Sequence, residues 1–148
     1  FMTDLSRGIS IVVIKKEIKG EEKTLNKINT KIISLKNKNK NLADDTQNKR
    51  SEIEKTKGDL KSITEDLKNV TKDINSGKGK LDKLTKQKEG LDGKYDKLTA
   101  RSVKYEQNIM DNSRKTVKNK KDIETLESKK SNQEKELAKV KEKLAKVQ

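Results

Sequence analysis

Apolar residues recur along this chain in alternating steps of three and four. Counted from Leu25, position a falls on Leu25, Ile32, Ile53, Leu60, Leu67, Ile74, Leu81, Ile109, Ile123, Leu137 and Leu144. Position d falls on Ile28, Leu35, Leu42, Ile63, Val70, Leu84, Leu91, Leu98, Leu126, Val140 and Val147. With Tyr95 and Tyr105 included, 24 of the 36 a and d positions between 25 and 147 are apolar, against eight of the other 87. No insertion interrupts the phase. A disordered segment would not confine its Leu and Ile to one stripe, and a seven-residue repeat imposes a left-handed supercoil on helices that share the seam. The pattern predicts an all-α protein, a long coiled coil with an unbroken heptad repeat over residues 22–148.

The seam carries polar interruptions. Asn39, Thr46, Lys49 and Thr56 form one stretch, and Asn112, Thr116 and Asn119 form another. Polar a and d residues lower stability but disfavour slipped registers, which makes Asn39, Asn112 and Asn119 the register-setting candidates. These stretches are also where a rod should fray or bend. Residues 75–80, Asn-Ser-Gly-Lys-Gly-Lys, are turn formers at mid-chain, and Gly77 and Gly79 are the hinge candidates.

Two arrangements follow. In an extended rod the phase continues through the glycines, and Leu25 to Val147 would span ~185 Å. In an antiparallel hairpin turning at 75–80, Ile74 would face Leu84, Leu67 would face Leu91, and Asn39 would meet Asn119. Val70 would then oppose Lys88, Ile28 would oppose Lys130, and Leu25 would oppose Gln133. The unbroken phase favours the rod. In a parallel in-register pair of rods, six g-to-e pairs attract, among them Asp45–Arg50, Glu52–Lys57 and Glu136–Lys141, while Lys31–Lys36, Lys115–Lys120 and Asp122–Glu127 repel. Each exposed pair contributes under about 1 kcal/mol, so this is weak support.

Residues 1–21 form a separate N-terminal segment. Its run Gly8-Ile-Ser-Ile-Val-Val-Ile14 is the densest apolar stretch in the chain. A membrane span needs about 20 mostly apolar residues, and Lys15, Lys16, Glu17 and Lys19 close this run too early, so no span is expected. Ile11, Ile14 and Ile18 extend the seam backwards. Val12 and Val13 lie off it, and four consecutive β-branched residues read as a short strand or a frayed helix start. Phe1 is not an ordinary initiator: either Met2 is the natural start behind an added residue, or the chain is a fragment.

Composition narrows the chemistry. Of the 148 residues 28% are hydrophobic and 42% charged, against roughly 45–50% and 25% in ordinary soluble domains. That is too little for a core in which several elements meet, and it fits a helix burying one stripe. The absence of Pro agrees with long helices. With no Cys and no His, the common zinc ligands and the usual nucleophile–base pairs are missing. Gly77-Lys-Gly-Lys80 lacks the spacing and the hydroxyl residue of a phosphate loop, and Asp92-Gly-Lys-Tyr-Asp96 lacks the ligand ladder of a calcium loop. The remaining Asp and Glu are scattered over exposed faces. No enzymatic activity and no cofactor is expected.

The net charge of +14 leaves two function classes. In the first, the chain is a structural coiled coil that self-associates as a dimer or trimer and acts as a spacer or scaffold. In the second, it is a basic coiled coil that holds nucleic acid, an acidic protein surface or another polyanion. Lys supplies 34 of the 38 basic residues, so nucleic-acid contact would be to backbone phosphate and strongly salt-dependent.

Arg7-Gly-Ile-Ser-Ile-Val-Val-Ile14, a short basic link and then the repeat from Thr24-Leu-Asn-Lys-Ile28 resemble the N-terminal region of bacteriophage tail tape-measure proteins, over about residues 4–45. The resemblance implies a helical oligomer inside a tail tube, with its length setting that of the tube, and no catalytic or ligand residues. Val147 at a d position leaves the repeat cut in mid-phase, as in a fragment of a longer coil. A place in the cytoplasm or within a virion assembly is expected over secretion.

Overall fold

The structure, a computed structural model, describes residues 3–148; Phe1 and Met2, on which the reading of the chain's start rested, lie outside them. Two helices account for nearly all of the rest: α1, Asp4–Asn75, and α2, Leu81–Val147. Among the described residues there is no strand.

The strand reading of the 1–21 segment is therefore corrected: from Asp4 on it is helical. Thr3 caps α1: its Oγ1 accepts from the Ser6 N–H at 3.1 Å, and its carbonyl accepts from the Arg7 N–H at 2.9 Å. A side-chain acceptor three residues ahead of the donor satisfies one of the orphan N–H groups of the first turn. β-Branched residues have only slightly lower helix propensity, and burial of Ile14 on the seam overrides it. The helix runs unbroken past residue 21.

α1 ends in a Schellman motif. The Lys78 N–H donates to the Asp73 carbonyl at 3.0 Å, and the Gly77 N–H donates to the Ile74 carbonyl at 3.3 Å. That geometry requires a left-handed residue after the helix, which Gly77 supplies with φ 67°. Gly79 repeats the left-handed conformation at φ 86°, and the Leu84 side chain lies against its open Cβ position at 3.7 Å. α2 then begins with the Leu84 N–H bonded to the Lys80 carbonyl, and Asp82 stands in its first turn where negative charge favours the helix dipole.

The chain divides into two compact units of two helical stretches each. Unit 1 joins the part of α1 up to Lys40 to α2 from Lys115 onward; unit 2 is Asn41–Arg114 and contains the turn. Within each unit the two helices are packed together and run antiparallel. In unit 1, Glu17, Lys36 and Asn39 meet Lys143, Glu127 and Asn119. In unit 2, Asp45 and Thr46 meet Asn112. The extended rod is unconfirmed, because these contacts all lie within one chain.

Two ion pairs bridge the helices of unit 1, Lys36–Glu127 at 3.6 Å and Lys143–Glu17 at 3.9 Å. By heptad position they are e to e and g to g, which is how antiparallel helices face each other. The g-to-e pairs of a parallel pair of rods would lie between two chains, and these two pairs lie within one. All four groups are about half exposed or more, so the pairs add little stability.

The turn separates the glycines into two kinds. Gly77→Ala or Gly79→Ala forces a Cβ into a left-handed conformation and should lower stability by ~1–2 kcal/mol. Gly58→Ala and Gly90→Ala, in open helical positions, should each raise it by about 0.5–1 kcal/mol. Urea denaturation checks the contrast; a gain from Gly77→Ala would mean that the helix runs straight through.

Candidate functional site: polar layers in the helical seam

Seam burial follows the heptad phase closely. Every a and d position from 25 to 147 is buried or half-buried except Gly77, Leu81 and Tyr95. Leu81 departs from expectation at 62% exposed, because it is the first residue of α2, beyond the turn. Ile32, Ile53, Val70 and Leu137 are the most buried apolar seam members, each at 5–8% exposed, and Ile14 joins them from upstream. Among the described residues no side chain reaches full burial. Two helices in contact cover only one side of each other, so each layer is thin.

Val70 is buried although the antiparallel layering sets Lys88 opposite it. A lysine stem covers apolar surface while its ammonium stays in water, so the mismatches noted above as objections to a fold-back are weak ones. Leu25 shows a different resolution. Gln133, expected opposite it, instead donates through Nε2 to the Glu21 carbonyl at 3.1 Å and to the Glu21 carboxylate.

The polar seam residues meet one another. In unit 1, Asn119 Nδ2 donates to Asn39 Oδ1 at 2.9 Å. In unit 2, Asn112 is 7% exposed and donates through Nδ2 to Asp45 Oδ2 at 2.8 Å and Thr46 Oγ1 at 3.2 Å. The same Asp45 carboxylate lies 3.7 Å from Lys49 Nζ, and that ammonium sits 5.6 Å from the centre of the Tyr105 ring. Thr56, 4% exposed, turns its hydroxyl back to the Glu52 carbonyl at 2.7 Å. Among the described residues no buried side-chain polar atom lacks a partner. Each unit thus matches its own polar seam residues, Asn39 with Asn119 in unit 1 and Thr46 with Asn112 in unit 2.

The structure brings Asn39 and Asn119 together in unit 1, and in unit 2 sets Asn112 against Asp45 and Thr46. Gly77 and Gly79 lie in the turn. The sequence reading missed Asp45 and Glu21 as partners of seam amides. Their signal was available only once an antiparallel register had been assumed.

Among the described residues no group of three acidic, His or Cys side chains could hold a metal. The grooves beside the seam are open; one in unit 1 is lined by Thr30, Leu35, Asp122 and Leu126. Gly77–Lys80 is a helix-terminating turn, and Asp92–Asp96 is helical. Among the described residues no helix is long and apolar enough to cross a membrane. No protein-family model, curated protein or solved structure matches the chain.

A half-buried amide pair resists the wrong register more than it stabilises the right one. Asn119→Ala should lower stability by about 1 kcal/mol through loss of one hydrogen bond. Asn39→Leu combined with Asn119→Leu should raise the melting temperature, yet shift the scattering mass above that of one chain as alternative pairings open. Thermal melts and light scattering on the two variants check both statements.

Proposed function

We propose that this chain is a non-enzymatic structural element, a spacer or scaffold formed by two long helices of one chain folded back on each other. The observation that carries the proposal is the matched polar set of the seam. Asn39 with Asn119, and Thr46 with Asn112, meet at the offset that a turn at 75–80 dictates. That match gives the polar layers a purpose within one chain, whereas in the rod arrangement they need a second chain. The homo-oligomer expected from the seam belongs to the rod, since in the folded-back form the same side chains are already covered. The tape-measure resemblance, which implies a helical oligomer in a tube, goes with the rod arrangement and not with this proposal.

A spacer should tolerate a change of length that keeps its layers matched. Deleting Ile63–Asn69 together with Glu89–Tyr95 removes one heptad from each helix of unit 2 and leaves every remaining layer paired. The expected product is a monomer by light scattering, with helicity and a cooperative melt retained. Deleting 63–69 alone should displace the upstream layers and lower the melting temperature far more. If the matched deletion is as damaging as the unmatched one, or if both proteins are stable oligomers, the proposal fails.

A further inference from the structure

The side of α1 that faces away from the seam changes character along its first turns. Leu5, Ile9, Val12 and Val13 occupy outward b, c and f positions and are 77%, 58%, 67% and 57% exposed. The same outward positions continue as Lys16, Lys19, Lys23 and Lys27, all exposed and none in an ion pair. Leu5 to Lys27 spans about 33 Å of helix. Neither half is explained by folding. Four aliphatic side chains in water gain nothing, and lysines three and four residues apart on one face repel.

Net charge points the same way. The stretch up to Lys40 plus Lys115–Gln148 holds 21 basic and 10 acidic residues, and Asn41–Arg114 holds 17 and 14. The two units are equal in length, yet +11 of the net +14 belongs to unit 1.

We propose that this outward face of α1 is a docking surface for a lipid bilayer with anionic headgroups. Leu5, Ile9, Val12 and Val13 enter the headgroup–acyl boundary, and Lys16, Lys19, Lys23 and Lys27 lie along the negatively charged surface. An interfacial helix needs both features, a short apolar patch and adjacent cations that can snorkel. A second copy of the chain fits the face poorly, because it would bring another +11 unit against these lysines. Nucleic acid would use the lysines but leave the four aliphatic side chains without a partner. The proposal is independent of the spacer function.

Co-sedimentation of the full chain with vesicles tests it. Strong binding is expected to vesicles containing phosphatidylglycerol, little to pure phosphatidylcholine, and weaker binding as salt rises. Lys16→Gln, Lys19→Gln and Lys23→Gln together should weaken binding about 100-fold, at roughly fivefold per lysine. Ile9→Ser, Val12→Ser and Val13→Ser should weaken it comparably without altering the thermal melt, since these side chains are exposed. Lys61→Gln, Lys68→Gln and Lys83→Gln, an equal charge change in unit 2, should have little effect. Absence of binding to anionic vesicles, or equal binding to neutral ones, overturns the proposal. So does duplex DNA binding that depends on Lys16, Lys19 and Lys23 with vesicle binding unaffected by the Ser substitutions. A dimer by light scattering that the Ser substitutions dissolve would assign the face to a second copy instead.

Discussion

Register between two helices is the constraint on which the rest of this structure depends. The apolar stripe is narrow and no described side chain is fully buried, so no single layer can fix the fold. Stability must come from many thin layers, each removing a moderate apolar area from water. Such a seam has a weakness: Leu and Ile layers slid by one heptad look much alike. What distinguishes the correct alignment is the placement of the layers that are not Leu or Ile.

Those layers work by penalty. If Asn119 slid one heptad, it would face Ile32 or Thr46 in place of Asn39, and a slide toward Ile32 would strand a half-buried amide among aliphatic groups. An unsatisfied buried polar group costs about 1–3 kcal/mol, whereas the matched pair itself contributes only around 1 kcal/mol. Asn112 raises the stakes further by drawing in Asp45, whose carboxylate also lies near Lys49. The polar stretches, expected as places where a rod would fray, remain helical because their members answer one another.

Much of this was legible in the sequence. The heptad phase marks the seam almost residue by residue, and the failures at Leu81 and Tyr95 are local. The glycines at 77 and 79 mark the turn, and the facing of Asn39 and Asn119 follows from a fold-back there. Three things were hidden. The run Ile9–Ile14 reads as a strand when only its β-branching is counted; the Thr3 cap and the seam positions of Ile11 and Ile14 decide for helix. The e-to-e and g-to-g ion pairs within the chain follow only from an antiparallel facing, which the g-to-e pattern of a parallel pair does not display. The continuity of the phase through the glycines favoured a rod, although antiparallel a-to-d layering is compatible with that same continuity.

The central claim is that α1 and α2 of one chain lie against each other. Spin labels at Asn26→Cys and Ser131→Cys, both exposed positions of unit 1, would report it in a sample diluted with unlabelled protein, since the chain has no native Cys. With helix axes 8–10 Å apart and side chains extending the diameter, a fold-back predicts an intramolecular distance of about 20–30 Å. A continuous helix would separate the two labels by about 160 Å, beyond detection, and the absence of a short intramolecular distance would contradict the account.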